Sequence, residues 1–278
     1  MIDLHTHTTA SDGSLAPAAL VDAARAAGLR VLSITDHDTT AGFEAVTDRA
    51  LQAGLELVPG IEISGVSDGR DMHVLGYFID PASSGLRAFL QRQQTDRVRR
   101  VEEMSRRLAA LGCPIHADAM LATAASGRSV GRPQIAAALV DAGYVQTRDE
   151  AFERFLEHGG PAYVPRRGAA PEEVVAIVHA AGGLASLAHP GVTKRDDRIV
   201  PLVAAGLDAL EVRHSDHDAV TEQRYRDLAR ELGLLVTGGS DFHGGDVTHR
   251  VPRLGLVSIP DEDYIAFRRA GTNRERRV

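Results

Sequence analysis

The chain has 278 residues, a single cysteine and a formal net charge of −7. The negative balance argues against a protein that coats nucleic acid broadly, and the lone Cys113 excludes an internal disulfide framework and a cysteine-rich metal site. No long apolar stretch marks a membrane span, and no basic segment with an apolar core precedes His5. A secretory signal is therefore not expected, and the cytoplasm is the expected location.

Apolar runs rich in Val, Ile and Leu alternate with alanine-rich stretches of helical periodicity. This alternation is typical of βα units around a parallel sheet, and at this length an α/β barrel forms one domain. The predicted strands are residues 2–5, 31–35, 55–61, 73–78, 184–188, 209–212, 234–237 and 254–259. The predicted helices between them are residues 17–27, 42–53, 171–181, 198–205 and 219–232.

The middle of the chain interrupts this alternation. Residues 83–165 contain no convincing strand and are predicted to form helices at 85–111, 132–142 and 148–157. Loops on the catalytic face are where barrels accept insertions. We therefore expect a barrel formed by residues 1–82 and 166–278, with residues 83–165 inserted as a helical cap that covers the active site.

Metal-binding residue types recur where the predicted strands end. His5 and His7 stand at alternate positions after the first apolar run, so on a strand both imidazoles point to one side and can hold one ion. Strand ends are also where α/β barrels place their active sites. The candidate ligands are His5, His7, Asp12, His37, Glu62, His73, His189, Asp241 and His243.

This set is too large for one ion. A catalytic metal takes about three or four protein ligands, so the set predicts two or three divalent ions, Mn²⁺ first, with Fe²⁺ or Zn²⁺ as alternatives. Glu62 is the natural bridge between two ions, and Asp36 or Asp38 is expected to orient His37 by accepting its second N–H. The histidines outside strand ends are interpreted as surface or packing residues: His116, His158, His179 and His249.

Two arginines on the long cap helix are candidates for binding a phosphate. Arg97 and Arg100 are three residues apart, so they share a helix face and could grip one phosphate between them. The alternative is a solvated basic helix, which is suggested by the further arginines Arg92, Arg99, Arg106 and Arg107. Residue pattern alone leaves both interpretations open.

The motifs together resemble those of the polymerase and histidinol phosphatase (PHP) metal-dependent phosphoesterases. The resemblance spans nearly the whole chain and implies a distorted (β/α)₇ TIM-like barrel with a trinuclear Mn, Fe or Zn cluster. It rests on His5-Thr6-His7, Ser11-Asp12-Gly13, Thr35-Asp36-His37-Asp38, Gly60-Ile61-Glu62-Ile63-Ser64, His73, Ala188-His189-Pro190 and Gly239-Ser240-Asp241-Phe242-His243.

The resemblance also implies how the ligands divide among the ions. One ion would take His5, His7, Glu62 and Asp241. A second would take Glu62, His73 and His189, and a third would take Asp12, His37 and His243. Spacing in the sequence cannot assign ligands to individual ions.

Within the family, the chain looks most like bacterial enzymes that remove the 3′-phosphate from nucleoside 3′,5′-bisphosphates, some of which also trim RNA 5′ ends. Arg97 and Arg100 match phosphate-binding arginines of those enzymes, and Asp12, Arg132 and Gln134 are further candidate substrate-binding residues. Relatives often have histidine where this chain has Gln134, which hydrogen-bonds but cannot become a cation.

These observations predict a phosphomonoesterase that converts a nucleoside 3′,5′-bisphosphate (pAp) to AMP and phosphate, with a metal-bridging hydroxide as the nucleophile. His214 follows the sixth strand and could bind phosphate, protonate the leaving group or only order a loop. The alternatives are a 5′-to-3′ exoribonuclease or phosphodiesterase acting on short oligonucleotides, a histidinol-phosphate phosphatase and a non-catalytic nucleotide-binding module. The expected partner is a phosphorylated nucleotide or short oligonucleotide, without a membrane or a stable nucleic-acid complex.

Overall fold

A seven-stranded sheet organises the computed structural model, which describes residues 1–244 and 254–275. The strands lie in chain order: β1 (Ile2–Asp3), β2 (Val31–Ile34), β3 (Glu56–Ser67), β4 (Arg70–Tyr77), β5 (Leu184–Leu187), β6 (Ala209–Arg213) and β7 (Leu235–Gly238). Neighbouring strands are parallel except that β4 is antiparallel to both β3 and β5. β4 is thus the one reversed strand of this sheet.

The two edge strands meet at a seam that nearly closes the sheet into a barrel. The amide of Leu4 donates a hydrogen bond to the carbonyl of Gly238 at 3.3 Å, and the amide of His7 donates to the carbonyl of Phe242 at 2.8 Å. Thr6 and Phe242 form a parallel bridge. The predicted distorted (β/α)₇ barrel is confirmed.

The reversed strand corrects the expectation of an all-parallel sheet. Asp68 and Gly69 connect β3 to β4 with φ values of 50° and 75°, the positive values that a tight two-residue hairpin turn requires. Because β3 pairs with β4 along this hairpin, it continues to Ser67 rather than ending at residue 61. The first residues of β4 therefore reach the same rim as the last residues of its neighbours.

Helices cover the outside of the barrel: α1 (Pro17–Ala26), α2 (Ala41–Glu44), α3 (Thr47–Gln52), α8 (Pro171–Ala180), α9 (Pro190–Thr193), α10 (Ile199–Ala204), α11 (Ala219–Glu231) and α12 (Asp261–Glu275), with a 3₁₀ turn at Asp196–Arg198. Local chemistry sets their starts: a proline begins α1 and α8, and Asp218 caps α11 by accepting from the amide of Thr221. In the described parts of the chain, no helix has the length and apolar character needed to cross a membrane.

The segment between β4 and α8 is helical and has its own apolar cluster. It contains α4 (Ser84–Ala110), α5 (Asp118–Ala125), α6 (Arg132–Asp141), α7 (Arg148–Ala151) and a π-helical turn at Phe152–Leu156. Their inner faces bury Val101, Met104, Leu108, Ile135, Leu139, Phe155 and Leu156. The sequence prediction missed α5, which buries only Met120 and Ala124 and is too short to show a helical period.

Three further predictions on the barrel side need correction. The predicted helix 42–53 is two helices, because Val46 leaves the helical region with φ −132° and ψ 11°. The predicted strand 254–259 is a turn followed by irregular chain. The amide of Ile2 donates to the hydroxyl of Ser258 and not to the backbone of a neighbouring strand. No helix was predicted after residue 254, where α12 forms at Asp261–Glu275. His249 and residues 276–278 lie outside the described residues.

Candidate metal centre

All nine predicted ligands lie together at the rim where the parallel strands end. His5 and His7 follow β1, and an isolated bridge joins His37, just beyond β2, to Glu62 within β3. His73 belongs to β4, whose reversal brings the start of that strand to this rim. The remaining ligands lie in the loops after β1, β5 and β7: Asp12, His189, Asp241 and His243.

One group of donors converges around the Nε2 atoms of His5 and His7, which are 3.1 Å apart. Oε2 of Glu62 lies 3.3 Å from the first and 3.2 Å from the second. Oδ1 of Asp241 lies 3.3 Å and 3.1 Å from the same two atoms. Two lone-pair nitrogens and two carboxylate oxygens therefore face one point.

Glu62 also faces a second group of donors with its other oxygen. Oε1 lies 2.8 Å from Nδ1 of His73 and 3.1 Å from Nε2 of His189. The carboxylate is 1% exposed, so neither oxygen is solvated. Glu62 thus connects two clusters of imidazoles through its two oxygens.

The third group surrounds Asp12. Nε2 of His243 lies 3.3 Å from one oxygen of this carboxylate, and Nε2 of His37 lies 3.6 Å from the other. His7 approaches the same group through its Nδ1 atom, 3.5 Å from Asp12. Because His7 faces the first group through Nε2, its ring lies between the first and third groups.

The donor atoms fit divalent ions better than they fit hydrogen bonds to one another. Among the described residues, Nδ1 of His37 and Nδ1 of His73 are buried without a hydrogen-bond partner, although each lies within 3.1 Å of Glu62. Buried polar atoms are normally satisfied, and neutral imidazole with carboxylate is the donor set that Zn, Mn and Fe accept. The residues present therefore suit a multinuclear metal centre.

Electrostatics keep the carboxylates of the centre ionised. Burial alone would raise the pKa of Glu62, but the surrounding imidazoles, His37 and His73 foremost, together hold that pKa well below its usual value. For Asp241, too, burial raises the pKa, but the neighbouring imidazoles, His5 and His243 foremost, have the larger combined effect. The pKa of Asp241 is therefore well below its usual value. Both side chains are thus anionic and ready to bind cations.

Without metal, some of the imidazoles bind protons instead. Burial disfavours the charged form of His7, yet hydrogen bonds to Asp241 and Glu62 raise its pKa to about 10. For His37, burial lowers the pKa by more than the carboxylates of Glu62 and Asp12 raise it, and the pKa falls to about 3. Protons and metal ions therefore compete for part of the ligand set.

This competition predicts an unusual pH dependence. In chelator, the melting temperature should fall as pH rises from about 7 to about 10, because a histidine with a raised folded-state pKa stabilises fully only below its unfolded value of about 6.5. That contribution is lost as pH passes the folded value of about 10 for His7. Thermal melts in EDTA across this range test it, with manganese-loaded protein as the control. Melting temperatures in EDTA that rise with pH would contradict the prediction.

Two buried carboxylates missed from the sequence support the ligands from behind. Glu211, within β6, lies 2.9 Å from Nδ1 of His5 through one oxygen and accepts the amide of His189 with the other. Asp3, within β1, accepts from the hydroxyl and amide of Ser240. An acidic residue inside an otherwise apolar strand was the available signal for both.

Asp36 and Asp38 do not take the role expected of them beside His37. Asp36 accepts hydrogen bonds from the amide and hydroxyl of Thr8 and from the hydroxyl of Ser11. Asp38 has φ 53° and pairs with Arg97 at 2.7 Å. Because the chain turns sharply here, these carboxylates point away from the ring between them.

Next to the candidate metal ligands lies a cluster of arginines. Arg132 and Arg166 both approach the carboxylate of Asp71, at 3.1 Å and 3.4 Å. Arg166 also lies 3.4 Å from Asp38. Burial, and then the positive charge of Arg166, lower the pKa of Arg100 to about 10. Arg166 follows the cap in a loop without a motif, so the sequence analysis missed it.

The two predicted phosphate ligands on α4 differ in how far their nitrogens are engaged. Arg97 bonds to Asp38 through Nε, to the carbonyl of Val130 through Nη1 and to the hydroxyl of Ser64 through Nη2. Arg100 donates from Nε to the carbonyl of Val164. Its Nη2 is buried without a partner among the described residues, so Arg100 retains a free donor.

Gln134 and His214 both form hydrogen bonds within the chain. The side chain of Gln134 accepts from the amide of Gly131 at 2.8 Å and donates to the carbonyl of Ser11 at 2.6 Å. His214 is 2% exposed; its Nδ1 accepts from the amide of Asp216, and its Nε2 lies 3.3 Å from Oδ2 of Asp241. Each side chain connects two segments that surround the metal ligands.

A barrel with nine imidazole and carboxylate side chains at its catalytic rim defines the class of metal-dependent hydrolases. The model of the PHP domain family matches residues 3–144. Together with relatives that are more than 30% identical over most of their length, this match shows that the chain belongs to the PHP family. The chain is accordingly a metal-dependent phosphoesterase.

Several individual proteins are similar to this chain over most of its length. A 5′-3′ exoribonuclease from Haemophilus influenzae is 37% identical over 87% of this chain and 89% of its own length. A 3′,5′-nucleoside bisphosphate phosphatase from Chromobacterium violaceum is 34% identical over 89% and 90%. A crystal structure from Bifidobacterium adolescentis, assigned as a metal-dependent phosphoesterase, has a TM-score of 0.86 and 35% identity, covering 96% of this chain and 94% of that one.

Proposed function

We propose that the protein hydrolyses the 3′-phosphate of nucleoside 3′,5′-bisphosphates. The observation that carries this proposal is the arginine cluster beside the metal centre, formed by Arg97, Arg100, Arg132 and Arg166. Their four guanidinium groups surround two carboxylates, Asp38 and Asp71. The excess of two positive charges matches the charge of a phosphate group that is held without being hydrolysed.

The spacing between the two sites suits a substrate with two phosphates. Asp71 and His73 alternate on β4, so their side chains point to the same side, about 7 Å apart along the strand. One belongs to the arginine cluster and the other to the metal ligands. A phosphate beside Arg166 and a second phosphate at the metal centre are then separated by roughly the length of one ribose.

The arginines divide into two roles in this proposal. Arg100, with its free Nη2, would donate directly to the phosphate that is retained, assisted by Arg132 and Arg166. Arg97 would hold Asp38 and the cap helix in place through its three hydrogen bonds. We therefore propose a positioning role for Arg97, in place of the phosphate-binding role that the sequence suggested.

The metal assignment is part of the proposal. We propose two or three divalent ions, Mn²⁺ first and Fe²⁺ or Zn²⁺ as alternatives, held by the three donor groups described above. Bound ions of this kind lower the pKa of water from about 15.7 towards about 7 and neutralise phosphate oxygens. We propose the ligand division implied by the family: His5, His7, Glu62 and Asp241; Glu62, His73 and His189; Asp12, His37 and His243.

Residues around the metals would fix the substrate pocket. His214 accepts the amide of Asp216 through Nδ1, so its Nε2 carries the proton that faces Asp241; we propose that it orients this ligand. Gln134 would tie α6 to the loop of Asp12 through the carbonyl of Ser11. The cap made of residues 83–165 would close the pocket over a barrel made of residues 1–82 and 166–278.

The second candidate function is 5′-to-3′ exoribonuclease activity. The Haemophilus relative is named for this activity. It would use the same metal centre, with the arginine cluster holding the 5′-terminal phosphate of a short oligonucleotide. The partner remains a phosphorylated nucleotide or oligonucleotide in either case. Burial of Arg97, Arg100 and Arg166 to 8% exposure or less favours the smaller substrate.

The test is phosphate release by manganese-loaded protein from adenosine 3′,5′-bisphosphate, with AMP and histidinol phosphate as controls. We expect phosphate and AMP from the bisphosphate and little release from the controls, since neither control offers a second phosphate to the arginines. Inertness towards all three substrates, combined with shortening of a 5′-phosphorylated RNA, would shift the assignment to the exoribonuclease.

A further inference from the structure

Glu211 is a fully buried carboxylate that lies directly behind the metal ligands. It is 0% exposed and projects from β6, between the strands that lead to His189 and Asp241. Burial raises its pKa, but the charge and hydrogen bond of His5, together with His214 and His189, keep the pKa below its usual value. Glu211 is therefore an anion held inside the barrel.

The first contact of Glu211 fixes a metal-binding ring. Oε1 lies 2.9 Å from Nδ1 of His5, while Nε2 of the same ring faces Glu62 and Asp241 at 3.3 Å. A carboxylate can only accept a hydrogen bond, so this contact requires the proton to be on Nδ1. The Nε2 lone pair is then directed at the metal centre.

The second contact of Glu211 holds the backbone of another ligand. Oε2 accepts the amide of His189 at 2.7 Å. His189 has a φ of 27°, a conformation that non-glycine residues adopt only when neighbouring groups enforce it. Nε2 of His189 in turn lies 3.1 Å from the second oxygen of Glu62.

We propose that Glu211 is the positioning residue of the metal centre, because its two oxygens set His5 and His189 for two neighbouring ions at once. The inference rests on the proposed ligand set, which includes both histidines. It also explains why this position needs a carboxylate. Both partners are N–H donors, and an amide of the same shape offers only one acceptor atom for them.

Glu211→Gln tests this role directly. The variant keeps the side-chain shape, but its amide has one acceptor oxygen and one donor nitrogen. If the nitrogen faces Nδ1 of His5, the proton of that ring is favoured on Nε2. If the nitrogen faces the amide of His189, two N–H donors oppose each other. We expect the dissociation constant for Mn²⁺ to rise about 10- to 100-fold. Equilibrium dialysis of the metal-depleted full-length protein measures this constant without reference to activity.

A matched variant separates positioning from simple loss of negative charge. Asp36→Asn also removes a buried carboxylate near the centre, but the hydrogen bonds of Asp36 go to Thr8 and Ser11. Its effect on Mn²⁺ affinity should be several-fold smaller. Equal losses in the two variants would overturn the inference, because through-space charge would then explain both.

A spectroscopic measurement gives a second, independent readout. In ¹⁵N-histidine-labelled, zinc-loaded protein, a proton on Nδ1 of His5 should be observed in the wild type and be lost or shifted in Glu211→Gln. An unchanged signal would overturn the role assigned to the first contact. This readout also covers the case in which the variant is less stable, since only folded, metal-bound protein contributes to the signal.

A companion variant, His5→Ala, distinguishes failure of this inference from failure of the proposed ligand set. If His5→Ala retains full Mn²⁺ affinity, the ligand assignment is wrong and the role of Glu211 falls with it. If His5→Ala loses affinity while Glu211→Gln retains it, the ligand set stands and only the inference about Glu211 is overturned.

Discussion

Glu62→Gln is expected to reduce phosphate release by more than about 1,000-fold, because Glu62 is proposed to hold the ions that would activate water as the nucleophile. Each Glu62 oxygen faces a different cluster of imidazoles: His5, His7 and His37 on one side, and His73 and His189 on the other. Loss of its charge therefore weakens two ion sites together. Turnover and bound metal, determined by elemental analysis, should fall in parallel.

Glu56→Gln is the matched control for this substitution. Glu56 is the first residue of β3, where it binds the hydroxyl of Tyr264 and the guanidinium of Arg268. The control should keep its metal and most of its activity. A Glu62→Gln protein that retains wild-type turnover with a full complement of metal would exclude Glu62 as a bridging ligand.

Arg100→Gln is expected to impair one class of substrate selectively. A hydrogen bond to a charged group contributes about 1.5–3 kcal/mol, so kcat/KM for adenosine 3′,5′-bisphosphate should fall about 10- to 150-fold. Hydrolysis of p-nitrophenyl phosphate, which has one phosphate, should change less than about twofold. The fold should tolerate the change, because Arg100 contributes a bond to the carbonyl of Val164 and no close ion pair with Asp38 or Asp71.

Arg99→Gln provides the comparison for this prediction. Arg99 is the adjacent residue on α4, where it is 31% exposed and paired with Asp96, and a surface pair of this kind contributes little to stability. It should affect both substrates alike and only slightly. Equal losses on both substrates in Arg100→Gln would show that the arginine supports the cap rather than the second phosphate.

The residues that converge at the rim could be identified from the sequence because strand ends and ligand chemistry coincide. His5 and His7 follow a short apolar run, and Asp241 and His243 follow another, so alternation and strand order suffice to bring them to one edge. The helical character of the middle segment was equally visible, since residues 83–165 lack any strand pattern. These inferences needed only local periodicity and the rule that parallel strands end at one rim.

Other features depended on contacts distant in sequence. Glu211 and Arg166 carry no motif, and their roles follow from neighbours more than 20 residues away, His5 and Asp71 among them. Asp68-Gly69, a favoured hairpin pair, was a signal for the reversal of β4, but the sequence analysis expected parallel βα units and did not use it. Asp38 was expected beside His37 and instead pairs with a helix of the cap.

The seam between β1 and β7 has a consequence for assembly. The strands on its two sides come from opposite ends of the chain, and a handful of backbone hydrogen bonds joins them. Bringing such distant segments together carries a loop-closure entropy that grows only slowly with length but must be offset when they meet. Ions held by His5 and Asp241, as proposed above, would span this junction and would require it to be formed. Metal uptake and completion of the barrel would then be thermodynamically linked, and a higher free metal concentration would increase the fraction of molecules with a closed junction.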